Sequence, residues 1–207
     1  MPDTDPDLDT AYAIDGPEGA RKLYAGWAET YDDNFGAAYG YVAPREVARI
    51  YHALGADAPV LDVGAGMGLV ALHLRGLAAD ALDISPEMLA VAARKGLYRA
   101  TVEADLTRTL PLPDGAYAGV ISAGTFTHGH VGPEALPELL RIVAEGALFV
   151  CGTKPDVFDE MRFGSALAGL QAAGRITPVQ FFDIPIYEGA DHPHAGDRGL
   201  VMAFRKT

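Results

Sequence analysis

The stretch VLDVGAGMG, Val60 to Gly68, places a carboxylate, Asp62, near the end of a short apolar run and then a glycine at every second position. Gly64, Gly66 and Gly68 permit a sharp backbone turn and a very close approach by a ligand. A dinucleotide fingerprint requires G-x-G-x-x-G. In that register the third position here is Leu69, so the glycines follow G-x-G-x-G instead. An aspartate beside the turn suits a ligand with positive charge nearby and does not suit a pyrophosphate. Two further acids follow at matching places. Asp83, 21 residues after Asp62, ends the next apolar run, where a carboxylate can accept hydrogen bonds from both ribose hydroxyls. Asp105, in EADL, follows the third.

Three acids at the carboxyl ends of successive strands face the crevice in which open α/β sheets bind ligands. The ligand so described has a cationic or amino-bearing part, a ribose and a base with an exocyclic amine, and needs no phosphate. S-adenosyl-L-methionine fits. Beyond a fourth strand, THGHVG carries His128 and His130, either able to act as a general base on a hydroxyl, thiol or amine, or to serve as loop hydrogen-bonding residues. The loop DHPHAGD holds Asp191, His192, His194 and Asp197, metal ligands by type but spaced as solvated turn residues, so no metal is expected. Cys151, the single cysteine, sits in the apolar run ALFVCG and reads as an inert buried residue.

The elements that must position these groups alternate. PVLDV, ADALDI, ATVEAD, YAGVISAG and ALFVCGT read as five strands. LVALHLR, PEMLAVAARK, PEALPELLRIVAEG and VFDEMRFGSALAGLQAAG read as helices. Ser85 is an N-cap with Pro86 first in its helix, the third helix is interrupted near Pro137, and the fourth is long and ended by Gly174. LPLPDG is turn-rich, so a helix is reduced or missing there. TPVQFFDIPIY and GLVMAFRK are two last strands with no helix between them and should pair antiparallel. The expected fold is α/β: a Rossmann-like, seven-stranded, mostly parallel sheet with an antiparallel last strand and helices on both faces. APREVARIYHALG, with Pro44 near its start and Gly55 past its end, precedes the first strand, as does PEGARKLYAGWAETY. Residues 1–15 are expected to be a disordered leader and 16–207 one domain, in which the helices of 16–56, carrying Trp27, Tyr31 and Tyr41, form a lid.

The whole chain limits the partners. It has 207 residues, with 16 Lys and Arg against 28 Asp and Glu, giving a net charge of −12. No basic face for a phosphate backbone is visible, which disfavours nucleic acid. No apolar run is long enough to span a bilayer. A single cysteine fits a reducing cytoplasm. A small-molecule substrate is expected; the oligomeric state is open.

VLDVGAGMG, LDISPEML and EADL resemble three successive motifs of the class I S-adenosylmethionine-dependent methyltransferases, over about residues 20 to 155. LYAGWAETYDDNFGAAYGYVAPREVARIYHAL and SAGTFTHGHVGPEALPELLRIV resemble more narrowly the methyltransferase-like family named after the Williams–Beuren syndrome region. EGALFV stands where a Pro-Gly-Gly turn is usual. The resemblance implies that the turn from Gly64 through Ala65 and Gly66 to Gly68 carries the methionine part of the cofactor, with Asp62 supporting the turn and the amino group. It implies that Asp83 holds the ribose, that Ile84 and Met88 flank the adenine, and that Asp105 and the Leu106 backbone read its edge. Ala123 and Gly124 would face the methionine carboxylate and the methyl group, and Tyr31 would close over the cofactor. Taken singly, each has a structural reading: Asp62 as a cap acceptor, Asp105 as a turn cap, Met88 as core, Tyr31 as a helix-packing aromatic. The implied activity is methyl transfer to a small-molecule acceptor, at an atom left open; the alternative is a cofactor-binding partner or regulator without transfer.

Overall fold

A computed structural model describes residues 40–127, 131–189 and 192–207, together with Gly19. In chain order the elements are α1 (Ala43–Ala53), β1 (Val60–Val63), β2 (Ala79–Asp83), α2 (Pro86–Arg94), β3 (Thr101–Glu103), β4 (Tyr117–Phe126), α3 (Leu136–Ile142), β5 (Val143–Thr153), α4 (Pro155–Glu160), α5 (Phe163–Ala172), β6 (Gln180–Pro185) and β7 (Arg198–Arg205). The strands form one seven-stranded sheet in the order β3-β2-β1-β4-β5-β7-β6. β1 to β5 are mutually parallel, and β7 runs antiparallel to both β5 and β6. This is the expected mostly parallel sheet with an antiparallel last strand.

Successive residues of the central strands bury opposite faces, because side chains alternate along a strand. Leu61 and Val63, Val120, Phe149 and Cys151 pack with Leu139 of α3 and Phe163 of α5. Val60, Ile121, Leu148 and Val150 pack with Val47 and Tyr51 of α1 on the other face. With both faces covered, the strands are continuously apolar, as parallel strands must be. α1 thus belongs to the core: Val47, Ala48 and Tyr51 are fully buried, and each large one contributes roughly 1.5–3 kcal/mol of burial. Only its N-terminal end reaches the sheet edge that carries the site. The rest of the expected lid, with Trp27 and Tyr31, lies outside the described residues.

Several elements differ from their sequence reading. LVALHLR is a single 3-10 turn, Ala71–His73, and not an amphipathic helix. Arg75 and Gly76 both adopt positive φ, which breaks helical continuation at once and leaves Leu72 half exposed. The helix expected to run to Gly146 stops at Ile142, and Val143 to Gly146 already belong to β5. Its interruption is a change from a 3-10 turn, Pro133–Ala135, to α3, where Pro137 sits in the first turn and loses no hydrogen bond. The long helix after β5 is two, α4 and α5, split where Arg162 takes a left-handed conformation at φ 60°. By contrast α2 starts as read: Ser85 Oγ accepts from the Met88 backbone N–H at 3.2 Å, with Pro86 first.

Candidate active site

β1 delivers the chain to the carboxyl edge of the sheet at Val63, and the glycine turn begins there. The turn is tied down from both neighbouring strands. The N–H groups of Gly64 and Ala65 donate to Leu82 O of β2 at 2.8 and 3.0 Å. Ser122 Oγ and Thr125 Oγ1 of β4 donate to Val63 O at 2.7 and 2.8 Å. Gly64, Gly66 and Gly68 have φ of 65°, 51° and 90°, so all three adopt the conformation that favours glycine.

Two carboxylates stand behind the turn in different roles. Asp83 grips it directly: Oδ2 accepts from Gly66 N–H at 2.7 Å and Oδ1 from Ser85 N–H at 2.9 Å. Burial raises its pKa, and those backbone donors oppose the rise. Asp62 is fully buried and reaches the turn at one remove. Its Oδ2 accepts from the Tyr98 hydroxyl at 2.6 Å, and Tyr98 in turn packs beneath Gly68. Asp62 Oδ1 is buried without a hydrogen-bond partner. Burial pushes the Asp62 carboxyl up to about 7; the Tyr98 hydrogen bond opposes this and the charge of Asp83 adds to it.

A cavity of about 230 Å³ opens in front of the turn. Of the described residues that the sequence nominates for the cofactor, all line it except Asp62, which lies behind, and Gly68. Gly64, Ala65 and Gly66 come from the glycine turn, Asp83 and Ile84 from the end of β2, Met88 from α2, Asp105 and Leu106 from beyond β3, and Ala123 and Gly124 from the end of β4. Asp105 also caps its own turn, accepting from Thr107 N–H at 2.8 Å and Thr107 Oγ1 at 2.7 Å. Tyr31, His128 and His130 lie outside the described residues, as does Asp191 of the last loop. Among the described residues no cluster of three or more His, Cys, Asp or Glu side chains could hold a metal ion. Cys151 is buried in β5, and burial drives its thiol pKa up, so a thiolate nucleophile is disfavoured there.

The structure adds Tyr187 and Lys154, which the sequence did not place in a site, and gives Tyr41 of the expected lid a partner. Tyr41 pairs with Tyr187, ring centroids 5.7 Å apart, where residues 40–42 lie antiparallel against 186–188. Val42 N–H donates to Ile186 O and Glu188 N–H to Gly40 O, both at 2.9 Å, and Arg45 forms an ion pair with Glu188 at 2.9 Å. Lys154, one residue past β5, also lines the cavity. The rule that ligands bind at carboxyl strand ends was the signal that could have found it.

Residues 61–151 match the family model described as a methyltransferase domain. Human Methyltransferase-like protein 27 is 36% identical over 161 residues, covering 73% of this chain and 64% of that protein. Residues 61–151 thus carry a methyltransferase domain. Demethylmenaquinone methyltransferase of Thermus thermophilus is 39% identical over 99 residues, 44% of each chain. Among solved structures, the methyltransferase domain superposes on Burkholderia thailandensis 1,6-didemethyltoxoflavin-N1-methyltransferase, bound to 1,6-didemethyltoxoflavin and S-adenosylhomocysteine, with a TM-score of 0.62 at 25% identity, covering 98% of this chain and 93% of that one. The chain spans less than two thirds of the length of these two curated relatives. The Burkholderia enzyme holds S-adenosylhomocysteine, the demethylated form of S-adenosylmethionine. The residues present fit it: a glycine cradle with open space beside Gly66, and a buried carboxylate oxygen, Asp62 Oδ1, with no partner inside the protein.

The buried Asp62 gives the ligand-free methyltransferase domain a pH signature. Its folded pKa, about 7, lies above the unfolded value of 3.8. Between these values the folded state holds more protons than the unfolded state, so stability falls as pH rises from about 4 to 7 and is level above that. The contribution is at most about 4 kcal/mol. Thermal melts across this range should show the decline in the wild type and a flatter profile in Asp62→Asn; parallel profiles would place the Asp62 pKa near the ordinary carboxylate range.

Proposed function

We propose that this chain transfers the methyl group of S-adenosylmethionine to a small-molecule acceptor. One observation carries the reading: the glycine turn, the Asp83 carboxylate and a second, apolar compartment belong to one continuous cavity. Cofactor and acceptor can therefore meet in a single space, which in-line displacement requires. The sulfonium brings the driving force; the protein aligns the acceptor and keeps water out. In this reading Asp83 holds the ribose, Ile84 and Met88 flank the adenine, Asp105 accepts from its amino group, and the Gly64–Gly66 turn carries the methionine part beside Ala123 and Gly124. His128 and His130 follow β4 directly in sequence and are the candidate proton acceptors for substrates that need one.

The net charge of −12 supports a small molecule over nucleic acid. None of the described helices is long and apolar enough to cross a membrane. The narrower placement in the methyltransferase-like family named after the Williams–Beuren syndrome region is part of the same proposal, supported by the likeness to human Methyltransferase-like protein 27. A fold does not fix an activity, so the alternative of a cofactor-binding partner without transfer is decided by turnover. Calorimetry should show binding of S-adenosylhomocysteine and none of NAD, and incubation with labelled S-adenosylmethionine and cell extract should label a small product. Tight NAD binding with no response to S-adenosylhomocysteine would sink the proposal; binding without any labelled product would leave the partner role.

A further inference from the structure

The connection between α2 and β3 runs behind the glycine turn. Lys95 Nζ donates to Met67 O at 3.0 Å. Leu97 and Tyr98 close on Gly68: a Cβ there would stand 3.2 Å from Leu97 Cδ1 and 3.0 Å from Tyr98 Cε2. The connection is itself anchored to β2. Arg99 N–H donates to Ala79 O at 2.8 Å, and the Arg99 guanidinium donates to the two Asp80 oxygens at 2.9 and 2.8 Å. The Tyr98 ring packs against Ala65, Ala81 and Leu89, which leaves it little freedom to turn away.

The Tyr98 hydroxyl therefore meets Asp62 at a fixed place. It donates to Oδ2 at 2.6 Å, while Oδ1 has no hydrogen-bond partner among the described residues. A buried carboxylate with one oxygen unpaired is costly to ionise, and a donor on the other oxygen offsets part of that cost. The titratable groups that act on Asp62 are Tyr98 from this connection, Asp83 from the end of β2 and Cys151 of β5, whose thiol stays protonated. Asp83 lines the cavity, and its negative charge acts on Asp62 behind the turn. A cationic group bound at the turn relieves both carboxylates.

Resting on the reading of the glycine turn as the cofactor cradle, we infer that Tyr98 is a positioning residue for cofactor binding, whose hydroxyl holds the Asp62 carboxylate in place as a negative charge behind the turn for the amino-bearing end of the cofactor. Tyr98 touches no ligand; it acts through Asp62. Binding is then linked to a proton. Burial holds the Asp62 carboxyl at about 7, so near neutral pH a fraction of it is protonated and gives that proton to solvent as the cofactor enters. Removing the hydroxyl leaves the ring to fill its place but raises the cost of ionising Asp62, so more of the carboxyl stays protonated.

The test is calorimetry with S-adenosylhomocysteine on the full chain from about pH 6 to about pH 8.5. No binding by the wild type would overturn the cradle reading itself. With binding intact, wild-type affinity should rise with pH and level off just above 7, whereas Asp62→Asn should give a level profile. In Tyr98→Phe the rise should move upward by about one pH unit, lowering affinity about 10-fold at neutral pH, with the gap closing at the alkaline end. A tyrosine that merely props the turn would instead give a loss equal at every pH. Adding Tyr98→Phe to Asp62→Asn should shift nothing. Tyr98→Met, which fills the same space without a hydroxyl, serves if the Phe variant melts early. A wild-type profile with no rise, a Tyr98→Phe profile that coincides with it, or a loss uniform with pH overturns the inference.

Discussion

Asp83→Ala will weaken S-adenosylhomocysteine binding about 10²-fold or more while the protein stays folded. The carboxylate does two jobs at once. It accepts the Gly66 and Ser85 N–H groups, at 2.7 and 2.9 Å, and so holds the glycine turn in shape. It also lines the cavity, where in the proposed reading its remaining lone pairs would accept from the ribose. Alanine orphans two backbone donors and, in the proposed reading, would leave the ribose hydroxyls without an acceptor; each hydrogen bond to a charged group contributes about 1.5–3 kcal/mol. Folding tolerates the change because Asp83 ends β2, and because burial already makes its charge costly, as its raised pKa records. Asp83→Asn keeps one acceptor and should fall between the two. Calorimetry on folded variants checks this, and an unchanged affinity in Asp83→Ala would remove Asp83 from the site.

Gly64→Ala and Gly66→Ala, two residues apart in one turn, should fail in opposite ways. Both positions have positive φ, at 65° and 51°, so each alanine costs roughly 1–2 kcal/mol of backbone strain. At Gly64 a Cβ would also overlap Thr125 Oγ1 and approach Thr125 Cβ to 2.8 Å, and Thr125 is held by its hydrogen bond to Val63 O. Overpacking of this kind adds roughly 1–3 kcal/mol, so Gly64→Ala should destabilise the domain by about 3 kcal/mol in denaturant unfolding. At Gly66 a Cβ meets nothing within 4 Å. That variant should lose only the backbone term, yet its methyl group enters the space that the cofactor would occupy, and affinity for S-adenosylhomocysteine should fall at least 10-fold. Equal destabilisation by both, or full affinity in Gly66→Ala, would contradict this picture of the turn.

What the sequence determined by itself was local. The G-x-G-x-G turn, the Ser85 cap with Pro86 behind it, the continuously apolar strands and the helix-free link between the last two strands are each written in a few adjacent residues, because φ preference, capping and side-chain alternation act over that range. Three acids at three strand ends could be placed for the same reason, since strand ends converge on one edge whatever the loops do. Tertiary structure decided the rest. Tyr98 meets Asp62 across 36 residues, and Arg162 takes a left-handed conformation that splits one apparent helix, which no periodicity records. Tyr41 is brought to Tyr187 by backbone pairing between chain segments far apart in sequence. Lys154, read alone, is an ordinary lysine before a helix; only the fold sets it against Asp197 and into the wall of the cavity. Charge and burial at a site depend on which distant segments exclude water around it, and that is fixed only when the sheet closes.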